Sequence, residues 1–213
     1  MDRRQFLYTL VTCLASLGSS KIGSASQKTT GTATILKDIP IIDTHSHPAC
    51  ILLPDPMKAA SRAVTLEPMK RLGIVKSSFS AVGDVKRASN FYDRIPATYE
   101  QVIEQLDRAK EVVGFVGGRI VRTSPDISKP SDPNTIGAVL AVEGADFLEK
   151  EPKKIDDLYQ YGVRAITLMH YRISQFGDIM TSPPKRKGLT REGRKIVSRM
   201  QELGIVVDVA PPD

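Results

Sequence analysis

The sequence predicts an α/β fold built on a parallel sheet or barrel rather than a sandwich, and three observations point there. From residue 38 onward short apolar runs alternate with amphipathic stretches. No hairpin signal stands between successive runs, so the strands are expected to pair parallel across helical crossovers. Polar residues able to bind a metal stand where several runs end, as they do when a parallel barrel gathers its site on the carboxyl-terminal face of the sheet.

The elements follow in order. "IPIIDTH" reads as a first strand, and "DPMKAASRAVTLEPMKRLG" as a helix interrupted near Pro68. "IVKSSFSAV", from Ile74 to Val82, is expected to be the second strand. "PATYEQVIEQLDRAKEVV" sets Val102, Leu106, Ala109 and Val113 at helical spacing, with Glu104 and Arg108 paired four apart on an exposed face. The continuous apolar run in "TIGAVLAVEG" suits a strand buried on both faces. "IDDLYQYG" gives a short helix ending at Gly162, and "VRAITLMH" is the next strand. After a long loop, Thr190 is placed to cap the helix "REGRKIVSRMQELG", and "IVVDVA" reads as the last strand.

Composition bounds the function. With 213 residues, 41% of them hydrophobic, the chain has enough apolar material for one sizeable core and is not a disordered tail. The formal charge is +6, part of it in the first 25 residues, where Arg3, Arg4 and Lys21 outweigh Asp2. The rest concentrates in "PPKRKGLTREGRK", which lacks interleaved aromatics and reads as a solvated face rather than a nucleic-acid surface.

Residues 1–25 read as an export signal. Paired arginines precede an apolar stretch from Phe6 to Leu17 and the small residues "GSAS", the charge, core and cleavage-site order of such a signal. "RRQFL" resembles a twin-arginine signal, which implies an exported, periplasmic or cell-envelope protein. The stretch is shorter than the roughly 20 residues of a comfortable bilayer span, with a retained anchor as the alternative. Cys13 would leave with the signal and only Cys50 would remain, which excludes an intramolecular disulfide framework. Residues 26–37 read as a polar linker, leaving 38–213 as the folded part.

The candidate site residues are His45 and His47 after the first strand, Glu143 at the end of "AVLAVE" and His170 at the end of "AITLMH". Taken singly, a histidine is readily hydrogen-bonded or solvated, and Glu143 could pair with a lysine or arginine. Taken together, a carboxylate at the end of a buried strand needs a counter-charge, and a divalent metal held by imidazoles supplies one.

The segments "AVLAVEGADFLE", "LYQYGVRAITLMHYRISQFGDIMT" and "KGLTREGRKIVSRMQELGIVVDVA" together resemble the membrane dipeptidase (renal dipeptidase) family, peptidase family M19, over about residues 39–210. The resemblance implies a partial (β/α)8 TIM-type barrel with about five of eight βα units present. It implies metal-assisted hydrolysis of dipeptides or small amides, with two zinc ions per site in the intact family. His45 and His47 would bind the first zinc, Glu143 would bridge the two, and His170 would contact the substrate as the catalytic histidine. Two departures stand out. His47 occupies a place usually held by Asp, closer to the His-x-His of the wider amidohydrolase-like hydrolases, and Pro211 stands where the fifth strand is expected to present a histidine. The chain as given is therefore expected to hold at most one zinc and to be a weak or inactive dipeptidase, apparently truncated at its C-terminus. Lactone or amide hydrolysis is the alternative activity, and a non-catalytic remnant or binding module the alternative role. No nucleic-acid partner is expected, membrane contact is expected only through the export signal, and a homo-oligomer is compatible with the reading.

Overall fold

In chain order the strands are β1 (Ile41–Asp43), β2 (Ile74–Val82), β3 (Asp84–Lys86), β4 (Arg94–Pro96), β5 (Gly137–Glu143), β6 (Val163–Thr167) and β7 (Val206–Asp208). They belong to a computed structural model that describes residues 40–52, 57–86, 94–129, 132, 134–149, 151, 153–180 and 182–209. The export signal, the linker and the Pro211 position lie outside the described residues.

Five strands form one sheet in the order β1-β2-β5-β6-β7, every neighbouring pair parallel. Each strand pairs with the sheet's next strand in sequence, β3 and β4 lying outside it, and the order never reverses. That is the winding of a barrel, since a doubly wound sheet has a point where the order turns back. The sheet is thus part of a TIM-type barrel. Its register aligns Val82 with Glu143, Glu143 with Thr167 and Thr167 with Asp208, so the carboxyl-terminal ends of the strands form one row.

Among the described residues six α-helices accompany the sheet. They are α1 (Ala59–Val64), α2 (Glu67–Arg71), α3 (Tyr99–Phe115), α4 (Ser124–Ser128), α5 (Lys153–Tyr161) and α6 (Arg191–Leu203). Val102, Leu106, Ala109, Val112 and Val113 of α3 are buried in one core with Phe79 and Ala81 of β2 and with Ala138, Leu140 and Val142 of β5. Each fully buried Leu or Phe there stabilises the fold by about 1.5–3 kcal/mol. The α3 start is a capping box: the Thr98 side chain accepts from Gln101 N at 3.2 Å, and the Gln101 side chain accepts from Thr98 N at 2.9 Å. Thr190 caps α6 by accepting from Gly193 N at 3.0 Å.

Three details differ from the sequence expectation. The interrupted helix is two helices, broken at Thr65 and Leu66, with Pro68 in the first turn of the second. Proline lacks only an N–H that a first turn leaves unpaired, so it starts α2 rather than kinking a longer helix. The "VRAITLMH" strand ends at Thr167, three residues before His170. An antiparallel pair, β3 with β4, adds to the parallel pairing expected from the sequence. Its strands are three residues each, too short to display an alternating pattern.

The long loop after β6 is held by two carboxylates. Asp146 accepts from Arg172, from Ser174 Oγ at 2.6 Å and from Gln175 N at 3.2 Å. Asp178 accepts from the backbone N–H groups of Lys185 at 2.8 Å, Arg186 at 3.0 Å and Gly188 at 2.9 Å. Lys185, Arg186, Lys187, Arg191, Arg194 and Lys195 are exposed, as a solvated face requires. Among the described residues no helix is long and apolar enough to cross a membrane.

Candidate metal centre

The chain after β1 continues beside β2, where Ser80 N donates to Ser46 O at 3.1 Å. His45 and His47 both turn to Glu143, while Ser46 between them turns away. Its hydroxyl bonds Ser77 Oγ at 2.7 Å and Ser78 O at 2.8 Å.

Glu143 meets them from the end of β5. Its side chain is 6% exposed; Oε1 lies against His45 Nε2, and Oε2 is 3.4 Å from His47 Nε2. The ligand atoms of His45, His47 and Glu143 all lie within 4.8 Å of one another, the one such three-donor cluster among the described residues. The His47 ring is oriented from behind. Its Nδ1 is 2.7 Å from the carbonyl oxygen of Ser80, which can only accept, so Nδ1 carries the proton and the neutral ring presents its Nε2 lone pair to Glu143. Two acceptors face each other there, and that arrangement holds only with a cation between them, a proton or a metal ion.

The third histidine is placed differently. His170 is 8% exposed, with Nε2 3.1 Å from Glu143 Oε2 and Nδ1 2.9 Å from Asp84 Oδ1. It sits behind Glu143 between two carboxylates, rather than at an open rim. Asp84 was not singled out from the sequence, although "SAVGD" carries the same signal as "AVLAVE", a carboxylate at the end of a buried strand.

The electrostatics of the metal-free cluster follow from these contacts. Burial pushes the Glu143 carboxyl up, but hydrogen bonds from His170 and His47 outweigh it and hold the group at about 2, below its ordinary 4.5. Burial pushes the His170 imidazolium down, and the bonds to Asp84 and Glu143 outweigh that and raise it to about 9. The hydrogen bond with Glu143 raises His47 against its own burial.

The residues present fit a divalent metal. Glu143 Oε1 is buried and has no hydrogen-bond partner, a costly state unless a cation takes its charge. Two imidazole nitrogens and a carboxylate oxygen are donors suited to zinc. A cavity of about 370 Å³ opens beside them, lined in part by His45, Ser80, Glu143, Thr167 and Asp208. Thr167 Oγ1 donates to Asp208 Oδ2 at 2.6 Å across its floor.

Comparison with known proteins identifies the family and the fold. The family model of membrane dipeptidases, peptidase family M19, matches residues 27–211. A dipeptidase (verJ) of Clonostachys rogersoniana is 26% identical over 197 residues, covering 83% of this chain and 50% of that protein. An uncharacterized dipeptidase of Schizosaccharomyces pombe is 33% identical over 113 residues, 52% of this chain and 28% of that protein. The chain spans half the length or less of these curated relatives. Among solved structures, a metallo peptidase from Rhodobacter sphaeroides, liganded with a phosphinate mimic of the dipeptide L-Ala-D-Ala, superposes with a TM-score of 0.64 at 20% identity, over 82% of this chain and 59% of that one. An amidohydrolase from Pseudomonas aeruginosa gives 0.63 at 16% identity, over 84% of this chain and 48% of that one. At such identities the superpositions establish the fold. With the family match running through both histidines, Glu143 and His170, the chain belongs to the membrane dipeptidase family, peptidase family M19.

Proposed function

We propose that the chain carries a zinc-dependent dipeptidase site in which His45, His47 and Glu143 hold one metal ion and His170 addresses the substrate. The observation that supports this most is the buried Glu143 Oε1, without a hydrogen-bond partner and facing imidazole. A zinc ion held by His45, His47 and Glu143 would supply Lewis acidity for a peptide carbonyl and for a water, whose pKa such an ion lowers toward about 7. The chain's own residues do the rest. Ser80 O keeps the His47 proton on Nδ1, and Glu143 supplies the negative charge that the metal requires. His170, whose Nε2 now lies 3.1 Å from Glu143 Oε2, would donate to an oxygen on which charge develops once Glu143 has turned to the metal. The cavity beside the cluster gives a dipeptide room to present its carbonyl.

Only a three-donor cluster is present among the described residues, and the sequence has Pro211 where an imidazole would serve a second metal. The 213-residue chain is therefore expected to bind at most one zinc and to hydrolyse dipeptides weakly. Chelator-sensitive release of free amino acids from a dipeptide panel tests the reading, and turnover unaffected by chelation would refute it. His47, in the place usually held by Asp, favours a second reading, hydrolysis of another amide or of a lactone; a substrate panel including both separates the two. Export through the twin-arginine-like segment belongs to the same proposal, and the mass of the mature N-terminus tests it.

A further inference from the structure

We propose that Asp84 is a positioning residue for His170, holding its ring so that Nε2 faces Glu143. The inference rests on the dipeptidase reading for its kinetic consequences, but its geometry stands independently. Asp84 opens β3 and is 2% exposed. Its carboxylate grips two successive residues of the neighbouring loop: Oδ1 lies 2.9 Å from His170 Nδ1, and Oδ2 accepts from Tyr171 N at 3.2 Å. One oxygen thereby restrains the ring and the other the backbone that carries it. A carboxylate as acceptor keeps a proton on Nδ1, and the opposite nitrogen is then directed at Glu143 Oε2, 3.1 Å away.

The backbone around Asp84 is packed for this contact. Gly83 N donates to Glu143 O at 2.7 Å, and Ala97 N, just past β4, donates to Gly83 O at 2.9 Å. A Cβ on Gly83 would lie 1.9 Å from Gly144 O. Gly144 has φ +83, and a Cβ there would lie 3.1 Å from the Cβ of His170. Two glycines thus let the ends of β2 and β5 approach closely enough for Asp84 to reach beneath the ring. The short antiparallel pair fixes the strand on which Asp84 sits, which gives that departure from the parallel plan a use.

The test uses the full chain, zinc-loaded, with Asp84→Ala and Asp84→Asn, and reads kinetics and the imidazole proton spectrum. In the wild type, the Nδ1-bound proton of His170 should give a slowly exchanging resonance that disappears in His170→Ala. Asp84→Ala should abolish that resonance and lower kcat about 10–100-fold, the size usual for an orienting partner, with KM and zinc content little changed. Asp84→Asn keeps an oxygen acceptor, so the resonance should persist but shift, and part of the kcat should return. Adding Asp84→Ala to His170→Ala should cost nothing further in kcat. An unshifted resonance in Asp84→Asn, or an equal further loss in the His170→Ala background, overturns the proposal. If Asp84→Ala does not fold, the Asp84→Asn spectrum decides. A wild-type chain without dipeptide turnover refutes the activity reading alone, because the proton spectrum still reports whether Asp84 holds the ring.

Discussion

At the residue scale the metal-free cluster around Glu143 is held by protons, which the proposed metal would replace. In the metal-free protein Glu143 ionises at about 2 instead of 4.5, so its contribution to stability is present above 4.5 and is lost as pH falls toward 2. His170 is raised from 6.5 to about 9, so its contribution is full below 6.5 and is lost as pH rises through 9. Metal-free protein should therefore be most stable between about pH 4.5 and 6.5, and thermal melts across pH should show that window flatten in Glu143→Gln. Protons also compete with metal at the same nitrogens, so metal affinity should weaken as pH is lowered. His47→Ala removes a nitrogen whose tautomer is set by Ser80 O; it should lower zinc affinity by more than the roughly 10–100-fold of an outer-shell change, read by competition with a chromophoric chelator. His45, His47 and Glu143 were legible in the sequence because each follows an apolar run. Asp84 follows an apolar run as well, but its role depends on the partner, His170, that tertiary contact brings from 86 residues away.

At the element scale the long periodic segments were the readable ones. The α3 helix declares itself by an apolar face with Val102, Leu106, Ala109 and Val113, and all four are buried. Leu106 is fully buried between the helix and the sheet, so Leu106→Ala should cost about 2–5 kcal/mol in denaturant unfolding. The β3 and β4 pair was invisible for the opposite reason: three residues per strand carry no period, and their pairing is set by neighbours. Gly83 at that junction allows a close approach that no local pattern announces. Gly83→Ala would force a methyl group into the Gly144 backbone and should destabilise the chain by about 3 kcal/mol. At Gly114 an added methyl would meet nothing within 4 Å, so alanine should be tolerated there on steric grounds. Comparing the two melting temperatures checks this.

At the scale of the whole molecule, the strand order and register bring His45, His47, Glu143 and His170 to one end of a parallel sheet, the arrangement of a barrel enzyme's site. A parallel sheet or barrel was readable from the alternation of strands and helices, while the choice between them came with the strand order β1-β2-β5-β6-β7. The central claim is that this cluster is a metal centre. It is tested most directly by dialysing the purified 213-residue chain against zinc and counting the bound ion by plasma mass spectrometry, beside Glu143→Gln. One zinc per wild-type chain, lost in Glu143→Gln with the fold intact by circular dichroism, is the result expected. No zinc on the folded wild type, or undiminished zinc on Glu143→Gln, would contradict it.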